Sequence, residues 1–168
     1  APLRIPENPV IDELNLAEEF SKLDKKTRRK VSISGVPRKI ISRLKEKIIK
    51  SYGYEAYRKY HKRKHLPVEF WKYVPRRILE RCKLVSRSSY APVYLQIDKL
   101  FARFIGYYLA EGSSNKKRYG ISLYFSDYDE QPIRDVKKFV KQFKTTPHIH
   151  QRKNNKVLYF HNKFVHIL

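Results

Sequence analysis

The stretch DKLFARFIGYYLAEG (Asp98–Gly112) decides how this chain is read. It predicts a helix from about Asp98 to Glu111 that is apolar nearly all round, the pattern of a helix buried on most sides. Gly106 and Ala110 stand four residues apart and so share one helical face almost bare of side chain. A glycine in a helix interior costs about 1 kcal/mol relative to alanine. Close approach of a second helix backbone is a gain that offsets this cost, as in small-xxx-small packing. Glu111 falls at the end of the helix, just before Gly112, which can terminate it. An acid projected from the base of two closely packed helices is well placed to hold a divalent cation.

Downstream the periodicity changes. Residues 113–117 (SSNKK) predict a short strand or turn, and RYGISLYFS predicts a strand in which Ile121, Leu123 and Phe125 alternate. Asp129 to Lys144 predicts a helix with Ile133, Val136, Phe139, Val140 and Phe143 on one face. PHIHQRK and KVLYFHN predict a hairpin around Asn154 and Asn155, and NKFVHIL opens a last helix that the sequence cuts short.

Upstream the chain is basic. The 168 residues carry 38 Lys and Arg against 16 Asp and Glu, a formal net charge of +22 and a pI near 10.1. Lys22 to Lys64 alone hold 17 Lys and Arg against three acids (Asp24, Glu46, Glu55), an excess of 14. Such an excess repels itself in any compact state unless a polyanion neutralises it, and phosphate backbones are the usual partner. An aromatic fraction of 14 % argues against a disordered basic tail. No apolar run approaches the ~18 residues that span a bilayer, and no signal peptide or lipidation motif is visible. The single Cys82 excludes an intramolecular disulfide and a cysteine-based zinc site, which fits a reducing cytoplasm. The sequence contains no methionine, so it reads as processed, excised or a fragment.

The organisation follows from these shifts in composition. Residues 1–21 read as a proline-rich lead-in and an acidic helix starting at Val10. Residues 22–85 read as a basic helical module, resembling a helix-turn-helix in pattern only. Residues 86–97 (starting SRSSYAPV) read as a linker, and residues 98–168 as an α+β segment. In the basic module Ile40, Ile41, Leu44 and Ile48 form the apolar stripe of a helix opening near Pro37, and Gly53 breaks it. Candidate phosphate contacts are Arg38, Lys39, Arg43, Lys47, Lys50, Arg58, Lys59, Lys62, Arg63 and Lys64, joined further on by Lys116, Lys117, Arg118 and Arg152. His61 with His65, and His148 with His150, have metal-ligand spacing but no third ligand nearby.

The motif FIGYYLAEG (Phe104–Gly112) resembles that of the LAGLIDADG homing endonucleases. Gly106 matches its first glycine, Ala110 its alanine, Glu111 its final acid and Gly112 its closing glycine. Leu109 departs from it, standing where the motif has an aspartate that is not the metal ligand. The helix, two strands, helix, two strands, helix order after Asp98 also follows the family's half-domain, and residues 30–80 are loosely like the basic inserts of archaeal intein-borne members. The resemblance implies a site-specific double-stranded DNA endonuclease using Mg²⁺ or another divalent cation. Glu111 would be its metal ligand and catalytic acid, Lys153 or Lys156 an assisting cation, and Gly106 and Ala110 the half-domain packing face. One motif supplies one acid, so cleavage implies a homodimer or a second half-domain outside this sequence. A non-cleaving DNA-binding remnant and a basic RNA-binding protein of maturase or ribosomal type stay open.

Overall fold

The computed structural model describes residues 12–115 and 118–167, and its elements run in two groups. The first comprises β1 (Glu13–Asn15), α1 (Leu16–Lys22), α2 (Lys25–Arg28), β2 (Ser32–Ser34), α3 (Arg38–Arg43), α4 (Lys45–Tyr52), α5 (Tyr54–Arg63) and β3 (His65–Pro67). A 3₁₀ helix (Val68–Tyr73), α6 (Arg76–Leu79), β4 (Lys83–Ser86), β5 (Ser89–Pro92) and β6 (Tyr94–Gln96) complete it. The second comprises α7 (Lys99–Glu111), β7 (Gly112–Asn115), β8 (Gly120–Ser126), α8 (Glu130–Lys141), β9 (His148–Gln151), β10 (Asn155–His161) and α9 (Lys163–Ile167).

The α+β class holds, but residues 22–85 are not all helical. Strands β3, β2, β4 and β5 form, in that order, an antiparallel sheet around which the helices pack. The expected helix from Arg38 to Lys50 is two helices, bent at Leu44, whose ψ of 8° leaves the helical range. Gly53, at φ +86°, joins α4 to α5 in a conformation that a side chain disfavours. The expected apolar stripe is confirmed, with Ile41, Leu44 and Ile48 buried.

The expected linker is also structured. Residues 86–97 hold the β4–β5 turn, β5 and β6, and β6 pairs antiparallel with β1, setting Glu13 opposite Gln96. The acidic helix is shorter than predicted: β1 occupies residues 13–15 and α1 begins at Leu16, capped by the Asn15 side chain, which accepts from the Glu18 N–H at 3.2 Å. Val10 and the prolines of the lead-in lie outside the described residues.

In the second group strands are ordered β7-β8-β10-β9, all antiparallel. Ile121, Leu123 and Phe125 of β8, with Leu158 and Phe160 of β10, are buried against the helices. Phe104 of α7 stacks on Phe139 of α8 with ring centroids 4.1 Å apart. Burial of each such ring contributes about 2–3 kcal/mol, and their stacking about 1 kcal/mol more. By alternation, Ser122, Tyr124 and Ser126 of β8, Val157, Tyr159 and His161 of β10, and His148 and His150 of β9 line the other, open face.

The two groups meet along α9. Asn162, only 1 % exposed, donates through Nδ2 to the carbonyls of Tyr90 (3.1 Å) and Phe143 (3.3 Å) and to the Thr145 hydroxyl (2.9 Å). Its Oδ1 accepts from the backbone N–H of Phe164 (2.9 Å) and Val165 (3.3 Å), capping α9. Phe20 of α1 meets Phe164 edge to face at 5.0 Å. No helix among the described residues is long and apolar enough to cross a membrane.

Candidate nucleic-acid interface and metal-binding acid

Asp98 starts α7 by accepting the Phe101 N–H at 2.9 Å. The helix is not buried on most sides, as its composition suggested. Only Phe104 is fully buried, while Lys99, Ala102, Arg103, Gly106, Leu109 and Ala110 form a continuous exposed face, Leu109 at 78 %. A Cβ placed on Gly106 would meet no heavy atom within 4 Å. Among the described residues, therefore, nothing packs on the small residues. The larger apolar residues Leu100, Phe101, Ile105, Tyr107 and Tyr108 pack against the core, and the small residues lie on the side that the described residues leave bare.

Helix α7 is tied to α8. Asp135 of α8, 6 % exposed, accepts at Oδ2 from Arg103 Nη1 (3.2 Å) and the Tyr107 hydroxyl (3.0 Å), and at Oδ1 from Gln131 Nε2 (2.8 Å). Two of these donors lie on α7, so the carboxylate fixes the rotation of α7 about its axis. Burial, followed by the Asp135 carboxylate, holds the Tyr107 phenol above its ordinary range.

Glu111, the last residue of α7, is exposed and borders a shallow cleft of about 340 Å³ shared with Tyr124, Phe125, Ser126, Asp129, Asn154 and Asn155. Gly112 follows because space demands it: a Cβ there would run into the Tyr108 carbonyl oxygen. Its φ of −95° is ordinary, so the helix ends here without a left-handed residue. Asp129 is the second carboxylate of the cleft, but its Oδ2 already accepts the Ser126 N–H at 2.8 Å. The described residues bring together no group of three or more His, Cys, Asp or Glu able to hold a metal ion. Of the two carboxylates in the cleft, Glu111 is the one that accepts no hydrogen bond from the described residues.

The two candidate assisting lysines are placed differently. Lys156 donates from Nζ to the Asp127 carbonyl at 2.7 Å, whereas Lys153 is exposed in the β9–β10 turn. Sequence reasoning did not find Ser126, Asp129, Asn154 and Asn155 as neighbours of Glu111, because they come together only through the pairing of Ser126 with Asn155.

The candidate phosphate contacts Arg38, Lys39, Arg43, Lys47, Lys50, Arg58, Lys59, Lys62, Arg63 and Lys64 are all exposed on or beside α3, α4 and α5. Lys47 donates to the Tyr73 hydroxyl at 2.9 Å, and this bond draws the phenol below its ordinary range. Arg58 pairs with Glu55 at 3.3 Å, an exposed contact of small energetic weight. Arg118 and Arg152 are exposed in turns at opposite ends of the second sheet, since Gly120 pairs with His161 and Ser126 with Asn155. Lys116 and Lys117 lie outside the described residues. His61 packs on Tyr57 with centroids 5.7 Å apart, and His65 Nδ1 lies 3.4 Å from the Ser32 hydroxyl.

Residues 98–168 match the family model of the LAGLIDADG-like domain. This segment is a LAGLIDADG-like domain. A single motif, Phe104–Gly112, stands on its α7. An uncharacterized protein of Methanocaldococcus jannaschii is 41 % identical over 64 residues, which cover 34 % of this chain and 7 % of that protein. The chain therefore spans a small part of the length of that curated relative. In the LAGLIDADG-like domain the described residues leave open the strand face opposite the helices and leave uncovered the small-residue face of α7.

Proposed function

We propose that this chain is a unit of a site-specific, divalent-cation-dependent DNA endonuclease of the homing type. The observation that carries the reading is Glu111, exposed at the foot of a helix whose Gly106–Ala110 face has no packing partner among the described residues. A second α7, from another copy of the chain or from a second half-domain, would bring a second acid beside Glu111. Two such carboxylates would hold Mg²⁺, which supplies activation of water and stabilisation of the leaving oxygen at the scissile phosphate. On this chain, Glu111 offers the carboxylate and the Asp135 network orients the helix beneath it. The open sheet face lies along duplex DNA; β8, seven residues long, spans ~23 Å. At 3.4 Å per base pair that is roughly six or seven base pairs per half-domain. The basic helices α3 to α5 bind flanking backbone.

The test is cleavage of a duplex selected from a randomised pool, with Mg²⁺, by wild type and Glu111→Gln. Wild type should cut and the variant should bind without cutting. Equal cutting by both removes Glu111 from the site. A wild type that binds duplex but never cuts, even when a second half-domain is supplied, establishes the non-cleaving alternative. Stronger binding to structured RNA than to duplex DNA at equal salt overturns the DNA reading altogether.

A further inference from the structure

Lys163 opens α9 between two wholly buried residues, Asn162 and Phe164, and is itself only 8 % exposed. Lysine is almost never buried this far unless a carboxylate pairs with it. Here Nζ reaches the Ser86 hydroxyl at 3.3 Å and stands 5.9 Å from the centre of the Tyr119 ring. The ion pairs formed among the described residues do not include it. Its charged neighbours make the imbalance worse. Ser32 pairs with Val85, so Lys30, two residues before the one, and Arg87, two residues after the other, stand at the same end of the sheet as Ser86 and Ser89, which Lys163 contacts; both repel the Lys163 ammonium, and Asp24 offsets them only weakly. Burial first, and then these two cations, hold Lys163 below the ordinary lysine range. Arg87 and Lys30 are exposed, and Arg87 is held at φ +55°, a conformation rare for a residue with a side chain. The Ser89 hydroxyl accepts the Lys163 backbone N–H at 3.1 Å, so two serines flank the lysine.

Three cations from three separate segments, placed at one end of the sheet beside two hydroxyls and without an ion pair among the described residues, make a receptor for a compact multivalent anion. We infer that Lys163, Lys30 and Arg87, with Ser86 and Ser89, form a phosphate-binding site at the junction between the first group of elements and the LAGLIDADG-like domain. The occupant is a backbone phosphate of bound duplex; this part of the inference rests on the DNA reading above. Its place supports that source. Tyr119 immediately precedes β8, and Arg118 beside it marks one end of the open strand face. A phosphate held here would lie next to the track along which duplex is proposed to run. It would also bridge the first group, through Lys30 and Arg87, to the domain that carries Glu111. The basic helices and the cleavage domain would thereby be fixed relative to one another on the same duplex.

The experiment uses the full chain with inorganic phosphate and with duplex DNA as separate probes. Thermal melts of wild type, Lys163→Met and Arg87→Ala are compared in chloride and in phosphate at equal ionic strength. Phosphate should raise the wild-type midpoint by a few degrees more than it raises either variant. Lys163→Met should melt higher than wild type in chloride, because a buried unpaired charge has gone. Arg87→Ala, altered at an exposed turn, keeps the test valid if the buried substitution disturbs folding. In the DNA arm, the log–log slope of affinity against salt should fall by about 1 for Arg87→Ala. Equal phosphate responses in all three proteins overturn the site. A phosphate response lost with Arg87→Ala but an unchanged DNA slope overturns the assignment to duplex backbone and leaves a free-phosphate site. Neither readout requires cleavage, so failure of the nuclease reading at Glu111 would leave this one standing or falling on its own.

Discussion

Substituting Gly106 separates folding from pairing, because the two respond with opposite signs. The added Cβ of Gly106→Ala meets no heavy atom within 4 Å, and the residue sits mid-helix in α7. The only folded-state effect is therefore the gain in helix propensity, about 1 kcal/mol. For a chain of this size that raises the melting midpoint by roughly 2–4 °C. Gly106→Leu should also fold at least as well as wild type, since its side chain projects into solvent. Pairing behaves otherwise. Two helices whose small residues face each other approach to about 8 Å between axes. A leucine at that contact would cost about 1–3 kcal/mol by overpacking, and a symmetric pair meets it twice. Association should weaken by roughly ten-fold for every 1.4 kcal/mol of that cost. Urea melts of dilute protein give the stability, and sedimentation of the chain, or cleavage by a two-domain protein, gives the pairing. The reasoning fails if Gly106→Ala lowers stability, which would mean that something packs on this face. It fails equally if Gly106→Leu pairs and cuts like wild type.

Three further outcomes follow from buried polar contacts. Asp135→Ala removes the acceptor of three hydrogen bonds. The Arg103 contact counts for little because that guanidinium is 42 % exposed, so the expected loss is about 2–3 kcal/mol, chiefly from Tyr107 and Gln131. Urea melts measure it, and a double-mutant cycle with Tyr107→Phe should show coupling; additive effects would mean that the network does not act as a unit. Asn162→Ala should cost about 3 kcal/mol, since it uncaps α9 and leaves the Tyr90 and Phe143 carbonyls short of a donor; a loss below 1 kcal/mol would show that water replaces the amide. The third concerns His65, which burial first and Arg63 second hold below its ordinary value. The unfolded chain then binds more protons near pH 6, so the His65 contribution is fully present above about 6.5 and is lost as pH falls through the folded value. His65→Gln should flatten the stability profile over that interval, and an unchanged slope would contradict the assignment.

The LAGLIDADG-like domain was legible because its elements are long enough to display their period. Ile121, Leu123 and Phe125 alternate, and Ile133, Val136, Phe139 and Val140 recur at helical spacing. The first group was less legible because its strands are three or four residues long and pair across large sequence distances, as Ile33 does with Leu66 and Leu84. Two prolines also stand in these strands. Pro67 lies in β3 and Pro92 in β5, the two edge strands, where the missing N–H need not break the ladder. The face of α7 was misjudged for a different reason. A sequence does not distinguish an apolar surface buried in its own fold from one left uncovered in the single chain. Lys163 and Asn162 carried no local signal, because their importance comes from contacts to β4 and β5 more than 70 residues away.

The distribution of charge assigns different tasks to different surfaces. None of the described residues pointing out of the open strand face is Lys or Arg; Ser122, Tyr124, Ser126, His148, His150, Tyr159 and His161 occupy it. His161 is fixed there, with Nδ1 donating to the Arg118 carbonyl at 3.0 Å and the Tyr159 hydroxyl bonded to its other nitrogen. Cations stand instead at the turns that end the sheet, as Arg118 and Arg152 do, and on the helices, α3 to α5 and α8 among them. Contacts to phosphate position a protein on duplex without reading its sequence, whereas hydrogen bonds to base edges specify it. On the proposed reading, substitutions on α3 to α5 change affinity and its salt dependence for every duplex alike. Substitutions at Tyr124, His150 or Tyr159 change which duplex is preferred and leave the salt slope where it was. The net charge of +22 then measures how firmly the chain holds DNA, while the choice of site rests with a face that carries almost none of it.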